Sequence, residues 1–347
     1  MNDNRACWIA PFLFLAATGF VFAQSPLDRS LQMRQAQMAN DGEIHVLKVQ
    51  GNVYMLVGDG GNIAVQLSDE GVLVVDTGLA TMSDKLLAAI RKLSDKPIRY
   101  IINTHLHADH TGGNDVIGKA GSTTQGGPTT VIAHENAMIR MSAPLGKPGA
   151  AAPGLWPTDT YFPESKDFFF NEEAVMLYHD QAAHTDGDTI VFFRRSDVVV
   201  AGDIFLTTSY PVIDQDNGGS VQGVINGLNR ILDITVPKHE QEGGTYVIPG
   251  HGKLSDESEV LEYRDMLVIV RDRIEDMVKR GMTLEQVKAA KPSLDYDLHY
   301  GAETGPWTTA MFIEAVYRDV SKSRTAKPSP APAAAKGTPA PATRGKP

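Results

Sequence analysis

The chain has 347 residues, 42% hydrophobic and 21% charged, with a formal net charge of −10. It is long enough to bury one large core or two small ones, and its composition excludes a collagen, a coiled coil, a polytopic membrane protein and a wholly disordered chain. The single cysteine, Cys7, excludes a disulfide framework and a cysteine-based zinc site.

Residues 6–27 carry no charge. They hold the apolar run Phe12-Leu13-Phe14-Leu15-Ala16-Ala17, and Val21-Phe22-Ala23 ends on a small residue. This pattern predicts a secretory signal peptide over residues 1–23, cleaved before Gln24, and a periplasmic or secreted mature chain. Pro11 and Gly19 weaken the competing reading, a retained membrane anchor. Cleavage would leave no integral membrane span and no cysteine. Residues 24–43 form a lead-in.

Short β-type runs follow at 44–49, 53–57, 63–67 and 72–75, separated by Gly/Asn/Asp turns, which predicts an antiparallel meander. Leu86, Leu87, Ile90 and Leu93 predict a helix over 83–93 with Ser83 as its cap. Strands are expected at 98–103, 130–133, 174–179, 189–194, 198–201 and 246–248, and helices at 113–120, 221–232 and 257–280. Gly281 stops the last of these. Thr283 with Gln286 makes a capping box for a further helix to about Ala289, and Trp307–Val320 predicts one more. The alternation predicts sheets covered by helices in one domain over 44–320, whose section from about 255 is helical. Residues 321–347 read as a disordered Pro/Ala/Lys tail.

That tail holds six positive charges, Lys322, Arg324, Lys327, Lys336, Arg344 and Lys346, and no acid. Because the leader is neutral, the body from 24 to 321 carries −16. A surface this acidic argues against a nucleic acid as partner and leaves a small-molecule substrate.

The strand at 98–103 runs into Thr104-His105-Leu106-His107-Ala108-Asp109-His110. In extended backbone His105 and His107 point the same way, so one strand end can grip a single ion with two imidazoles. The turn at Thr111-Gly112-Gly113 then swings Asp109 and His110 toward a second position. Further donors stand at strand ends beside glycines: His184 in Ala183-His184-Thr185-Asp186-Gly187, Asp203 after Gly202, and His251 in Gly250-His251-Gly252. Imidazole and carboxylate suit zinc, and also iron or manganese. His45, His134, His179, His239 and His299 fall in no such motif and read as structural.

The pattern H-x-H-x-D-H, followed by a distant His, Asp and Gly-His, resembles the metallo-β-lactamase superfamily over roughly residues 44–280. Asp76 in Val75-Asp76-Thr77-Gly78 matches that family's first motif as a supporting residue. The resemblance implies an αββα sandwich, an α/β fold of two mixed sheets flanked by helices. It also implies two zinc ions: the first held by His105, His107 and His184, the second by Asp109, His110 and His251, with Asp203 bridging. The implied activity is hydrolysis of an ester, thioester, lactone or β-lactam by a metal-bridging hydroxide, with Asp109 orienting it and taking its proton. Leu155, Trp156 and Tyr161, in the long proline-rich segment 142–173, and Tyr210 are the candidate substrate wall.

The absent cysteine ligand departs from two of the three β-lactamase subclasses. The full His/Asp set looks more like glyoxalase-II-type thioesterases, lactonases and secreted quinoprotein-relay-type zinc hydrolases. No basic glutathione-binding signature follows Leu254. Two alternatives use parts of the same motif. A persulfide-dioxygenase-like enzyme would hold one iron with His105, His184 and Asp203, and a non-catalytic binding module would hold metal for stability alone.

Overall fold

The structure, a computed structural model, describes residues 41–325 apart from Glu242. The expected leader, most of the lead-in and the tail from residue 326 lie outside the described residues.

Two mixed sheets stack face to face with helices on both outer sides. The first sheet contains, in spatial order, β1 (His45–Gln50), β2 (Val53–Val57), β3 (Ile63–Leu67), β4 (Val72–Val75), β5 (Ile98–Ile102), β6 (Thr130–His134) and β7 (Asp159–Tyr161). Strands β1 to β4 form the antiparallel meander, and β4 to β7 pair in parallel. The second sheet runs β13 (Ser255–Asp256), β12 (Tyr246–His251), β11 (Val198–Leu206), β10 (Asp188–Phe193), β9 (Glu173–Asp180) and β8 (Ser165–Phe170).

Alternation of side chains places the layers. In β4, Leu73 and Val75 face the second sheet, where they join Met55, Ile102, Leu177, Val191, Val200 and Ile248. Val72 and Val74 face outward onto Leu86 and Ile90 of α1 (Ser83–Leu93). The opposite outer layer comprises α5 (Val221–Ile234), α6 (Glu257–Lys279) and α9 (Thr309–Thr325), packed on Val199, Ala201 and Ile204. Between them in the chain lie α2 (Ala108–Thr111), α3 (Asn114–Ala120), α4 (Glu135–Met141), α7 (Leu284–Ala290) and α8 (Asp297–Tyr300). Strands buried on both faces explain the near-continuous apolar runs in the sequence. This is the expected αββα sandwich.

Several local expectations are corrected. Ser83 is the first helical residue and not the cap; its hydroxyl donates back to the Ala80 carbonyl. The segment 142–173 contains β7 and β8, because Phe168 and Phe170 pack their rings on Tyr100 at centroid distances of 5.2 and 5.0 Å. The last helix continues to Thr325, past the expected start of the tail at 321, since no proline intervenes before Pro328. The Thr283–Gln286 capping box forms as expected. No described helix is long and apolar enough to cross a membrane.

Candidate metal centre

The carboxyl ends of β5, β11 and β12 and the loop after β9 converge at one edge of the sandwich. They bring together His105, His107, His184 and Asp203 in one group, and Asp109, His110 and His251 in another. Within each group one donor atom per residue lies within 4.8 Å of the others. Asp203 faces both groups. Its Oδ1 is 3.2 Å from His110 Nε2 and 3.6 Å from His251 Nε2, and its Oδ2 is 3.7 Å from His184 Nε2.

The close approach has a backbone cause. A Cβ on Gly250 would stand 2.0 Å from Asp203 Oδ1, and one on Gly61 would stand 2.3 Å from His110 Cε1. Only glycine lets these two loops lie against the cluster.

The hydrogen bonds behind the rings assign their tautomers. The Val212 carbonyl can only accept, so His184 Nδ1, 2.7 Å away, carries a proton. Thr104 Oγ1 donates its one proton to Asp76 Oδ2 at 2.7 Å, so it accepts from His105 Nδ1 at 3.0 Å. His110 Nδ1 donates to Asp76 Oδ2 at 2.8 Å, and His107 Nε2 to Asp214 Oδ2 at 2.8 Å. In each neutral ring the other nitrogen is then a lone pair aimed into the site.

Those lone pairs lack partners of their own. His105 Nε2 and Asp203 Oδ1 are buried and complete no hydrogen bond. His184 Nε2 faces His107 Nδ1 at 2.9 Å, and His110 Nε2 faces His251 Nε2 at 3.3 Å. In the first of these pairs both facing nitrogens are acceptors, which repel unless a cation or proton lies between them. The donor set therefore fits divalent metal, and the bonds behind His105, His107, His110 and His184 are the orienting partners that ligating imidazoles need.

Electrostatics agree. Burial lowers His105 well below the usual imidazole range, and burial brings His184 down to about 4, which keeps both rings neutral. Against burial, which raises it, the hydrogen bond with His251 and the nearby His110 hold Asp109 down to about 2. Burial likewise opposes ionisation of Asp203, and the charges of His251 and His110 overcome it, leaving Asp203 well below the usual carboxylate range. Against burial, which lowers both rings, Asp203 and Asp76 hold His110 well above the usual imidazole range, and Asp203 and Asp109 hold His251 above it. The carboxylates and the neutral His105 and His184 form a sink for positive charge.

Asp76 pays a backbone cost for its place. It sits in left-handed conformation at φ 63°, where its Oδ1 accepts from Thr104 N at 2.8 Å while Oδ2 serves His110 and the Thr104 hydroxyl. Asn103 and Asn114 exchange amide hydrogen bonds, and Asn114 also donates to the Leu155 carbonyl. The motif on β5, the helix α3 and the segment at 155 are thereby joined.

The expected substrate wall is largely corrected. Tyr210 is 1% exposed and directs its hydroxyl to Asp297 Oδ1 at 2.7 Å and the Ser293 carbonyl at 3.0 Å, inside the helical layer. Tyr161 is buried between the sheets, with its hydroxyl 2.8 Å from Thr189 Oγ1. Both phenols satisfy themselves in the core. Leu155 and Trp156 are half-buried on Leu106 and Met141, and Trp156 Nε1 donates to the Ala151 carbonyl. Asp214 and Thr104 were not among the residues singled out in the sequence. Thr104 lay inside the motif, and the polar, glycine-bounded turn Asp214–Gly219 was the available signal for Asp214.

Comparison with known proteins gives four findings. The family model described as metallo-beta-lactamase superfamily matches residues 48–267. A 45-residue stretch is 53% identical to the linear primary-alkylsulfatase of Pseudomonas sp. (strain ATCC 19151), covering 13% of this chain and 8% of that protein. The metallo-beta-lactamase type 2 of Bacillus sp. (strain 170) is 21% identical over 73% of this chain and 94% of its own. Among solved structures, the stereoselective inverting sec-alkylsulfatase Pisa1 from Pseudomonas sp. superposes with a TM-score of 0.61 at 17% identity. That match covers 82% of this chain and 51% of the sulfatase, so this chain spans about half its length.

Proposed function

The chain belongs to the metallo-beta-lactamase superfamily, and on that premise we propose that it is a dinuclear zinc hydrolase that cleaves an ester, thioester, lactone or β-lactam. The observation that carries this reading is the pair of donor groups, with the unpartnered His105 Nε2 and the Asp203 oxygens turned to both. When bound, a pair of dications supplies electrophilic assistance and a water acidified toward neutral pH.

The chain's own residues supply the rest. His105, His107 and His184 would hold the first ion, and His110, His251 and Asp109 the second, with Asp203 between. Asp109 is the carboxylate open to solvent: its side chain is 33% exposed, against 8% for Asp203. Its Oδ2, 3.1 Å from His251 Nε2, is placed to orient an attacking water and to hold the released proton. Asp76 and Thr104 keep His110 and His105 in register.

A second reading is favoured by the alkylsulfatase similarities, one local in sequence and one extending over most of the fold. On that reading the bond cleaved is an alkyl sulfate ester. Residues 1–23, uncharged from residue 6 onward, support export as part of the proposal.

The test is metal quantification followed by one substrate panel: carboxylic esters, thioesters, lactones, β-lactams and alkyl sulfates. About two zinc ions per chain with turnover in one of the first four classes supports the main reading, and turnover of alkyl sulfates alone selects the second. One iron per chain with oxygen uptake on a persulfide, or stoichiometric metal with no turnover, overturns both.

A further inference from the structure

Behind each proposed metal position stands one carboxylate that serves one histidine. Asp76 stands behind His110 at 2.8 Å, within a motif already recognised. Asp214 stands behind His107 at the same distance. It belongs to the turn after β11, 107 residues along the chain from the ring it meets.

His107 differs from the other ligand histidines. His105, His184, His110 and His251 turn Nε2 toward the centre, whereas His107 turns Nδ1 and leaves Nε2 to Asp214. An imidazole free to rotate could present either nitrogen, so something must select Nδ1. The Asp214 carboxylate is built to do so. Its Oδ1 accepts from Asn217 N at 3.0 Å, and its Oδ2 accepts from Asn217 Nδ2 at 2.7 Å as well as from His107. The same turn grips the loop that carries His184: Asp214 N donates to the His184 carbonyl at 3.0 Å, and Asp186 N donates to the Asn217 carbonyl at 2.9 Å.

We propose that Asp214, clamped by Asn217, is a positioning residue of the first metal position, fixing His107 as an Nδ1 ligand and holding it at a set spacing from His184. The inference rests on the dinuclear reading above. It concerns one position only, because no hydrogen bond of this turn reaches Asp109, His110 or His251 among the described residues.

Zn²⁺ binding to the whole chain, measured by competition against a chromophoric chelator, tests it. Apo-protein melting is followed in parallel. The unaltered chain is expected to bind two ions. Asp214→Ala is expected to weaken one of them by about 10–100-fold and leave the other unchanged. Asp214→Asn keeps an acceptor oxygen for His107 Nε2 and should recover most of that loss. Asn217→Ala frees the carboxylate without removing it and should weaken the same ion by a smaller factor. Unchanged affinities in Asp214→Ala, equal weakening of both ions, or no recovery in an Asp214→Asn protein that melts normally would each overturn the proposal. If Asp214→Ala does not fold, the Asn217→Ala titration decides, and unchanged affinity there overturns it. No Zn²⁺ bound by the unaltered chain would instead refute the dinuclear reading itself.

Discussion

Asp109 carries two duties that pull in different directions. As a donor in the second group it must stay ionised, and its contacts with His251 and His110 hold it at about 2 in spite of burial. As the carboxylate at the opening it must also exchange a proton with a water on the substrate side. Asp109→Ala removes the second duty outright but leaves His105, His107, His184 and Asp203 in place. Hydrolysis of the best panel substrate should fall by about 10²–10⁴ in kcat/KM, while the first zinc ion is retained. A loss under tenfold would show that Asp109 handles no proton. All seven donors of the cluster stood out in the sequence: His105, His107, Asp109 and His110 crowd one short motif after β5, and His184, Asp203 and His251 stand beside glycines near strand ends. Their orienting partners did not. Asp214 meets His107 from a distant turn, and the Val212 carbonyl that fixes His184 has no side-chain signature. Tyr161 and Tyr210 misled for a related reason: neither a place in a long proline-rich segment nor closeness in sequence to Asp203 says where a phenol finds its hydrogen bond. Asp76→Asn is a sharper probe of such partners. It replaces the anion that His110 Nδ1 and the Thr104 amide share with a neutral amide, and should weaken the second zinc ion about 10–100-fold in a chelator titration.

Elements were legible where periodicity is strong. The bounds of β2, β3, β4 and α1 follow directly from apolar runs and turns in the sequence. Strands β7 and β8 did not stand out, since prolines crowd the segment and Phe169 points to solvent while its neighbours point inward. The sequence also hid what ties the sheets at the end away from the metal centre. Glu173 opens β9 and is 3% exposed. Its carboxylate accepts from Gln66 Nε2 of β3 at 2.6 Å, from Arg195 N and Ser196 N at 2.9 Å, and from Ser196 Oγ at 2.7 Å. Glu173→Ala would strand these donors in a buried setting, at a cost of about 3 kcal/mol. The urea midpoint should fall with an unchanged slope, and zinc content should not move, because the ligands lie at the other end of the strands. A midpoint within error of the unaltered chain would mean that water replaces the carboxylate there.

Across the whole molecule the two sheets meet again beside the metal centre, through rings that are not ligands. His134 ends β6 and His179 lies in β9, and their imidazoles stack at 3.5 Å with planes 4° apart. Two charged rings could not share that contact. Burial and the neighbouring His179 lower His134 to about 4, and burial lowers His179 as well. A histidine whose folded pKa lies below its unfolded value binds fewer protons when folded. Stability is therefore intact above pH 6.5 and is lost as the pH falls toward 4. The lowered His134 and the lowered His179 act in the same direction, so both lose stability as the pH falls from 7.5 to 5. His134→Phe keeps a stacked ring without a titrating nitrogen, so the gap in unfolding free energy between this variant and the unaltered chain should widen in the variant's favour as the pH drops. Donors at the metal centre also titrate in this range, but they contribute equally to both proteins and cancel in the difference. A gap that stays constant from pH 7.5 to pH 5 would show that the pair protonates as readily in the fold as in the unfolded chain, and that the contact between the sheets here is indifferent to charge.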